Sequence, residues 1–165
     1  KVKLNYLLSF VTNVLKKWKN INMQEIILLK GLPASGKTTW AKEFMKSHED
    51  YIRVNKDDIR TFFRITKYSS EGEKKVVETE YFLGEMALNL GKSLIVDDTN
   101  FNQKYCSAWL KLAVDRDIKY SENVFDTSVS ECIKRDSERE KSVGKDVILR
   151  IAKSREELKK LESEF

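Results

Sequence analysis

From residue 23 onward, four short apolar runs are each followed by a stretch whose apolar residues recur three and four apart. "QEIILLK" reads as a strand from Glu25 to Lys30 that is buried on both faces. After a glycine-containing loop, Trp40, Ala41, Phe44 and Met45 line one side of a helix. "YIRVN" (Tyr51 to Asn55) predicts a second strand, then a short helix from Asp57 and a longer one from about Glu71 to Leu90, stopped by Gly91. "SLIVDD" (Ser93 to Asp98) is a third strand, and a helix from Asn102 to about Arg116 leads to a fourth, "IKYSENVF". Ser128 and Glu131 have the spacing of a capping box opening a helix through Arg139. Asp146 is expected to cap a last helix carrying Val147, Ile151, Leu158 and Leu161. This alternation of strand and helix predicts a three-layer α/β domain with a mostly parallel sheet of about four strands.

Residues 1–22 have a different pattern. Leu4, Leu7, Val11, Val14 and Trp18 would line one face of a helix flanked by Lys1, Lys3, Lys16, Lys17 and Lys19. We read this segment as a basic amphipathic N-terminal extension and residues 23–165 as the domain. It lacks the features of a secretory signal, since its apolar residues are interrupted by polar ones and no small-residue cleavage site follows.

Composition narrows the class. The 165 residues are 41% hydrophobic and 35% charged, with no apolar run of membrane-spanning length, so a soluble single domain is expected. The formal net charge of +5 resides in the first 22 residues, which hold five lysines and no acid. The domain is therefore electrically balanced, and any polyanion site in it must come from local clustering. Cys106 and Cys132 form no paired motif, which suits packing in a reducing, cytoplasmic compartment.

The loop after the first strand, "GLPASGKTTW", satisfies G-x-x-x-x-G-K-[ST] with Gly31, Gly36, Lys37 and Thr38. Glycines let backbone amides ring a phosphate, the following helix presents its positive end, Lys37 bridges the outer phosphates, and Thr38 offers a hydroxyl to magnesium. The expected nucleotide set is Gly31, Ser35, Gly36, Lys37, Thr38 and Thr39, with ATP or another nucleoside triphosphate and Mg²⁺ as cofactors. Three further clusters bear on the acceptor. Asp57 and Asp58 in "VNKDDIR" follow the second strand, where either could cap a helix or serve chemistry. Asp97 and Asp98 end the third strand, and alternation sends them to opposite sides, so one has a structural role. Arg135 and Arg139, four apart before a polar segment, suit a lid over the triphosphate around residues 135–146, or simply a solvated face paired with Glu131, Asp136, Glu138 and Glu140.

In that order, "GLPASGKTTWAKEF", "VNKDDIR", "VDDTN", "VFDTSVSECIKRDSER" and "DVILR" make the chain from Met23 to about Lys160 resemble the kinase domain of phage polynucleotide 5′-hydroxyl kinases. The resemblance implies transfer of the ATP γ-phosphate to 5′-hydroxyl ends of DNA or RNA in nucleic acid repair, in the host cytoplasm if phage-encoded. By it, Lys37 and Thr38 serve the donor phosphates and magnesium, and Asp57 is the general base. Arg60 holds the acceptor's adjacent phosphate, Asp98 is the third-strand acid, and Arg139, supported by Arg135, is the lid arginine. Ala34 departs from the family, which commonly has glycine there, and the chain has no Asp-x-Asp-x-Thr phosphatase motif. The residues themselves leave two other readings: a kinase for a small metabolite, nucleoside or nucleotide, and an ATP-hydrolysing binding module. "DDTN" lacks the water-activating glutamate that the last would want.

Overall fold

The computed structural model describes residues 24–163, with side chains to residue 156. The proposed amphipathic helix of residues 1–22 and the side chains of Leu158 and Leu161 lie outside that range.

The sheet has four strands: β1 (Glu25–Gly31), β2 (Tyr51–Val54), β3 (Ser93–Asp97) and β4 (Lys119–Phe125). Their order is β2-β3-β1-β4 and every neighbouring pair is parallel, with Ile26 opposite Leu94 and Tyr120, and Ile52 also opposite Leu94. Among the described residues six helices connect and flank them: α1 (Lys37–Met45), α2 (Lys56–Phe62), α3 (Ser70–Asn89), α4 (Gln103–Asp115), α5 (Val129–Ser137) and α6 (Lys145–Ser163).

Central position explains why β1 is apolar on both faces. Ile26 and Leu28 face one side with Leu94 and Val96, against Ala87 and Leu88 of α3 and Trp109, Leu112 and Ala113 of α4. Ile27, Leu29 and Ile95 face the other, against Ala41, Trp40, Phe44 and Met45 of α1. β4 has a single strand neighbour, and its exposure alternates accordingly. A third cluster joins Leu32 of the loop to Cys132 of α5 and Ile148 and Ala152 of α6, so the late helices are rooted on the loop itself. Both cysteines are free and buried, as their isolation in sequence implied.

Helix ends differ from expectation where a neighbour caps better. α2 begins at Lys56 because Asn55 is the cap, its side chain accepting from the Asp58 amide at 2.8 Å. Asp146 lies in the first turn of α6 and does not cap it, since the helix already begins at Lys145. Ser128 caps α5 as its spacing foretold, accepting from Glu131 N at 3.3 Å, but that helix stops at Ser137.

α3 approaches α4 through Gly84, where a Cβ would stand 2.6–2.7 Å from the Trp109 ring. Gly84→Ala should therefore destabilise the domain towards the upper part of about 1–3 kcal/mol, the usual cost of overpacking. That outweighs the roughly 1 kcal/mol alanine adds to a helix interior. Urea unfolding of the two proteins measures the difference.

Candidate active site

Because all four strands run the same way, the segments that follow β1, β2 and β3 all emerge at one edge of the sheet. Asn100 fastens this edge. Buried, with φ at 51°, it donates through Nδ2 to Leu29 O at 2.7 Å and to Val96 O at 3.1 Å, bridging the ends of β1 and β3. Gly31 N adds a bond to Thr99 O at 3.2 Å.

The loop from Gly31 to Lys37 turns through two left-handed residues, Ala34 (φ 61°) and Gly36 (φ 103°). Glycine adopts such angles freely, whereas alanine pays about 1–2 kcal/mol. The loop thus passes Ala34 with a methyl group at a position whose backbone favours glycine. Thr127 Oγ1 steadies it from outside, donating to Ser35 O at 3.0 Å.

Lys37 is buried and folded back, donating to Gly31 O at 2.8 Å and Leu32 O at 2.7 Å. Burial pulls its pKa down to about 8, against the opposing pull of Asp97 and Asp98. Ala34 to Thr39, Arg135 and Arg139 enclose a polar cavity of about 400 Å³, so the expected nucleotide residues other than Gly31 share one space. The Arg135 guanidinium hangs over the turn: a Cβ on Gly36 would meet its Nη1 at 4.0 Å. Arg135 also pairs with Glu131 at 2.7 Å and Arg139 with Asp136. Both arginines therefore line the cavity while paired with acids of α5.

Asp136 was not anticipated in any role beyond surface pairing, yet it organises the segment between α5 and α6. It is 1% exposed and accepts from Ser142 Oγ (2.6 Å), Gly144 N (2.9 Å) and Val143 N (3.2 Å). Although burial alone would raise its pKa, these bonds and Arg139 bring it down to about 2. Its sequence gave only a weak hint, an acid four residues after the buried Cys132 on a short helix.

Asp97 and Asp98 diverge, as alternation required. Asp97 is buried near the Thr38 side chain and accepts from Arg53 Nη1 at 2.7 Å. Burial nevertheless raises its pKa above the usual carboxylate value, and its Oδ1 has no hydrogen-bond donor. A threonine hydroxyl next to a buried, under-used carboxylate oxygen is a set of hard oxygen donors, the chemistry Mg²⁺ accepts. Among the described residues no cluster of three or more acidic, histidine or cysteine side chains could hold a metal alone. This suits an ion carried chiefly by phosphates and water.

Asp98 turns towards α2 and α3. Its Oδ1 accepts from Lys56 N at 3.3 Å, and its Oδ2 stands 3.3 Å from Lys56 Nζ at ion-pair distance. Glu80 of α3 reaches the same carboxylate from a fully packed position. Burial, and then the closeness of the Asp98 carboxylate, push Glu80 far above the carboxylate range.

The two acids of "VNKDDIR" also separate. Asp58 is structural: it accepts from Asn55 Nδ2 at 2.7 Å and pairs with Arg53, which thereby links β2 to both Asp97 and Asp58. Asp57 is exposed and pairs with Arg60 Nη1 at 2.6 Å. Arg60 is held from behind by Glu73 of α3, to which Nη2 donates at 2.8 Å and Nε at 3.3 Å. Arg53, Lys56, Glu73 and Glu80 are site residues the sequence alone did not single out, and it left Asp97 undistinguished from Asp98. Their signal was only polarity within or beside apolar elements.

The AAA domain family AAA_33 matches residues 26–158, and the chain belongs to it. It is a P-loop kinase-type phosphotransferase domain. Over 127 residues it is 31% identical to the L-seryl-tRNA(Sec) kinase of Methanococcus maripaludis, covering 74% of this chain and 49% of that protein. Over 114 residues it is 29% identical to the bifunctional polynucleotide phosphatase/kinase of Schizosaccharomyces pombe, covering 69% of this chain and 24% of the relative. The solved structure titled "Structure of the Pnkp1/Rnl/Hen1 RNA repair complex" contains the same fold, with a TM-score of 0.71 and 24% identity. That match covers 86% of this chain and 48% of that one. The chain thus spans less than half the length of these curated relatives. Among the described residues no helix is long and apolar enough to cross a membrane.

Two outcomes are expected. A phosphate in this cavity would favour the charged form of Lys37, so nucleotide affinity measured calorimetrically should hold up to about pH 8 and weaken above it. In Lys37→Met that decline should vanish. Asp136 has a depressed folded pKa, so its contribution to stability is present above about pH 4 and is lost as pH falls towards 2. Asp136→Asn should melt several degrees lower at neutral pH, and the gap should close between pH 4 and 2.

Proposed function

We propose that the domain is a polynucleotide 5′-hydroxyl kinase, transferring the γ-phosphoryl group of ATP to 5′-hydroxyl ends of DNA or RNA. The observation that carries this reading is the Asp57–Arg60 pair, 2.6 Å apart on α2 at the sheet edge that also bears the phosphate loop. A carboxylate beside a guanidinium suits an acceptor with a hydroxyl and a neighbouring phosphate. Likeness to the S. pombe phosphatase/kinase supports it.

The residues divide the work. Amides of the loop from Gly31 to Gly36, with Ser35, Thr38 and Thr39, cradle the donor phosphates, and Lys37 swings from its carbonyl partners to their outer oxygens. Thr38 and Asp97 would hold Mg²⁺ and its water shell, and the ion, when bound, draws negative charge from the phosphate oxygens. Arg60 exchanges Asp57 for the acceptor's phosphate while Glu73 keeps it aimed. Asp57, released, takes the proton of the 5′-hydroxyl. That oxygen forms a bond to the γ-phosphorus as the bond to the β–γ bridging oxygen breaks, and ADP departs with the electron pair. Lys37, Arg135 and Arg139 offset the charge on the transferred group, with residues 135–146 acting as a lid. Asp98, held by Lys56 and Glu80, borders the acceptor side.

A second reading is a kinase for a small metabolite, nucleoside or nucleotide; likeness to a kinase named for seryl-tRNA supports an acceptor other than a polynucleotide 5′ end. One assay separates them: γ-labelled ATP with a 5′-hydroxyl oligonucleotide or with a free nucleoside. Label on the oligonucleotide is the expected result. Label on the nucleoside alone would favour the second reading, and free phosphate alone an ATP-hydrolysing module. Asp57→Asn should lower transfer by about 10²-fold or more while ATP affinity is retained. Equal transfer by mutant and wild type would remove Asp57 from the role of base.

A further inference from the structure

The segment that follows Asp57 and Arg60 has no part in that chemistry and is unusual in composition. Residues 61–70, "TFFRITKYSS", contain three aromatic rings and two cations but no acid, in a domain whose charges otherwise balance. The rings are not core: Phe62 is 80%, Phe63 57% and Tyr68 83% exposed. Phe62 and Phe63 meet edge to face, centroids 5.0 Å apart, at the end of the helix that carries Arg60. Arg64 and Lys67 are exposed between the rings, and neither enters an ion pair among the described residues.

Two hollows run through this region. An apolar one of about 500 Å³ is walled by Ile59, Phe63, Val76 and Phe82. A smaller one, of about 130 Å³, has Arg60 in its wall beside Lys67 and Tyr68. The aromatic surface is therefore continuous with the guanidinium that would hold the acceptor's phosphate. Exposed rings interleaved with unpaired cations bind unpaired nucleic acid, because every base offers a face to stack on and every linkage a charge to neutralise. A protein partner could cover the rings but would leave Arg64 and Lys67 to be matched separately.

We propose that Phe62, Phe63 and Tyr68, with Arg64 and Lys67, form a stacking platform for the unpaired bases immediately 3′ of the accepting end of a single-stranded polynucleotide. This rests on the kinase reading above and adds to it a substrate form: an end that is frayed or single-stranded, recognised without regard to sequence. A base-paired end cannot offer its faces to the rings and would be phosphorylated less efficiently.

The test compares two acceptors that share the reacting hydroxyl and its neighbouring phosphate: a single-stranded 5′-hydroxyl oligonucleotide and a nucleoside 3′-monophosphate, which has no further bases. In Phe62→Ala/Phe63→Ala, kcat/KM for the oligonucleotide should fall at least about fivefold relative to that for the monophosphate, the loss of one stacked base. Phe62→Tyr, which keeps the ring, should retain the wild-type ratio. An unchanged ratio in the double variant would overturn the platform. So would a wild-type dimer in sedimentation that the double variant dissolves with no change in that ratio, which would assign the face to a second copy of the chain. If the wild-type protein labels neither acceptor, the kinase reading itself fails. Anisotropy of a dye-labelled single strand then still tests the platform, and equal affinity of wild type and double variant would refute it.

Discussion

The site depends on keeping the Lys37 ammonium buried and charged without a bound phosphate. A cation out of water needs oxygen atoms on several sides, and here the Gly31 and Leu32 carbonyls supply two of them while Asp97 and Asp98 supply a field from the end of β3. That arrangement holds only if the ends of β1 and β3 stay in register, which is what Asn100 enforces through its bonds to Leu29 and Val96. A loop so braced has its backbone fixed around a charge already in place.

Around this centre, charged groups are arranged in pairs of distinct purpose. Arg53 ties Asp97 at the end of β3 to Asp58 of α2, and Glu73 braces Arg60 from α3. Glu80, its pKa raised by burial, sets a second carboxyl against Asp98. Asp136 does for the segment between α5 and α6 what Asn100 does for the sheet edge, gathering backbone amides of residues 143 and 144 on one buried carboxylate.

The chain itself displays the phosphate loop because that chemistry is local: glycines, lysine and threonine act within eight consecutive residues, and their spacing is the mechanism. The same is true of Asp57 and Arg60, whose three-residue separation puts them on adjacent turns of a helix. Asp57 and Asp58 could not be told apart that way. Asn55 turned out to cap the helix and Asp58 to bind Arg53, both partners that come from folding β2 beside α2. Helix ends shifted for the same reason, since a cap is chosen by competition among neighbouring polar side chains.

Period and composition determined the alternation of strands and helices, the burial of β1 on both faces and the identity of the phosphate loop, because hydrophobic periodicity and turn geometry are properties of contiguous residues. Only the tertiary structure decided that Asp97 faces Thr38 while Asp98 faces Glu80, that Glu73 braces Arg60, and that Asp136 is a buried anchor. Those roles are set by contacts between segments far apart in the chain, where the cost of burying a charge depends on which partner the fold brings to it.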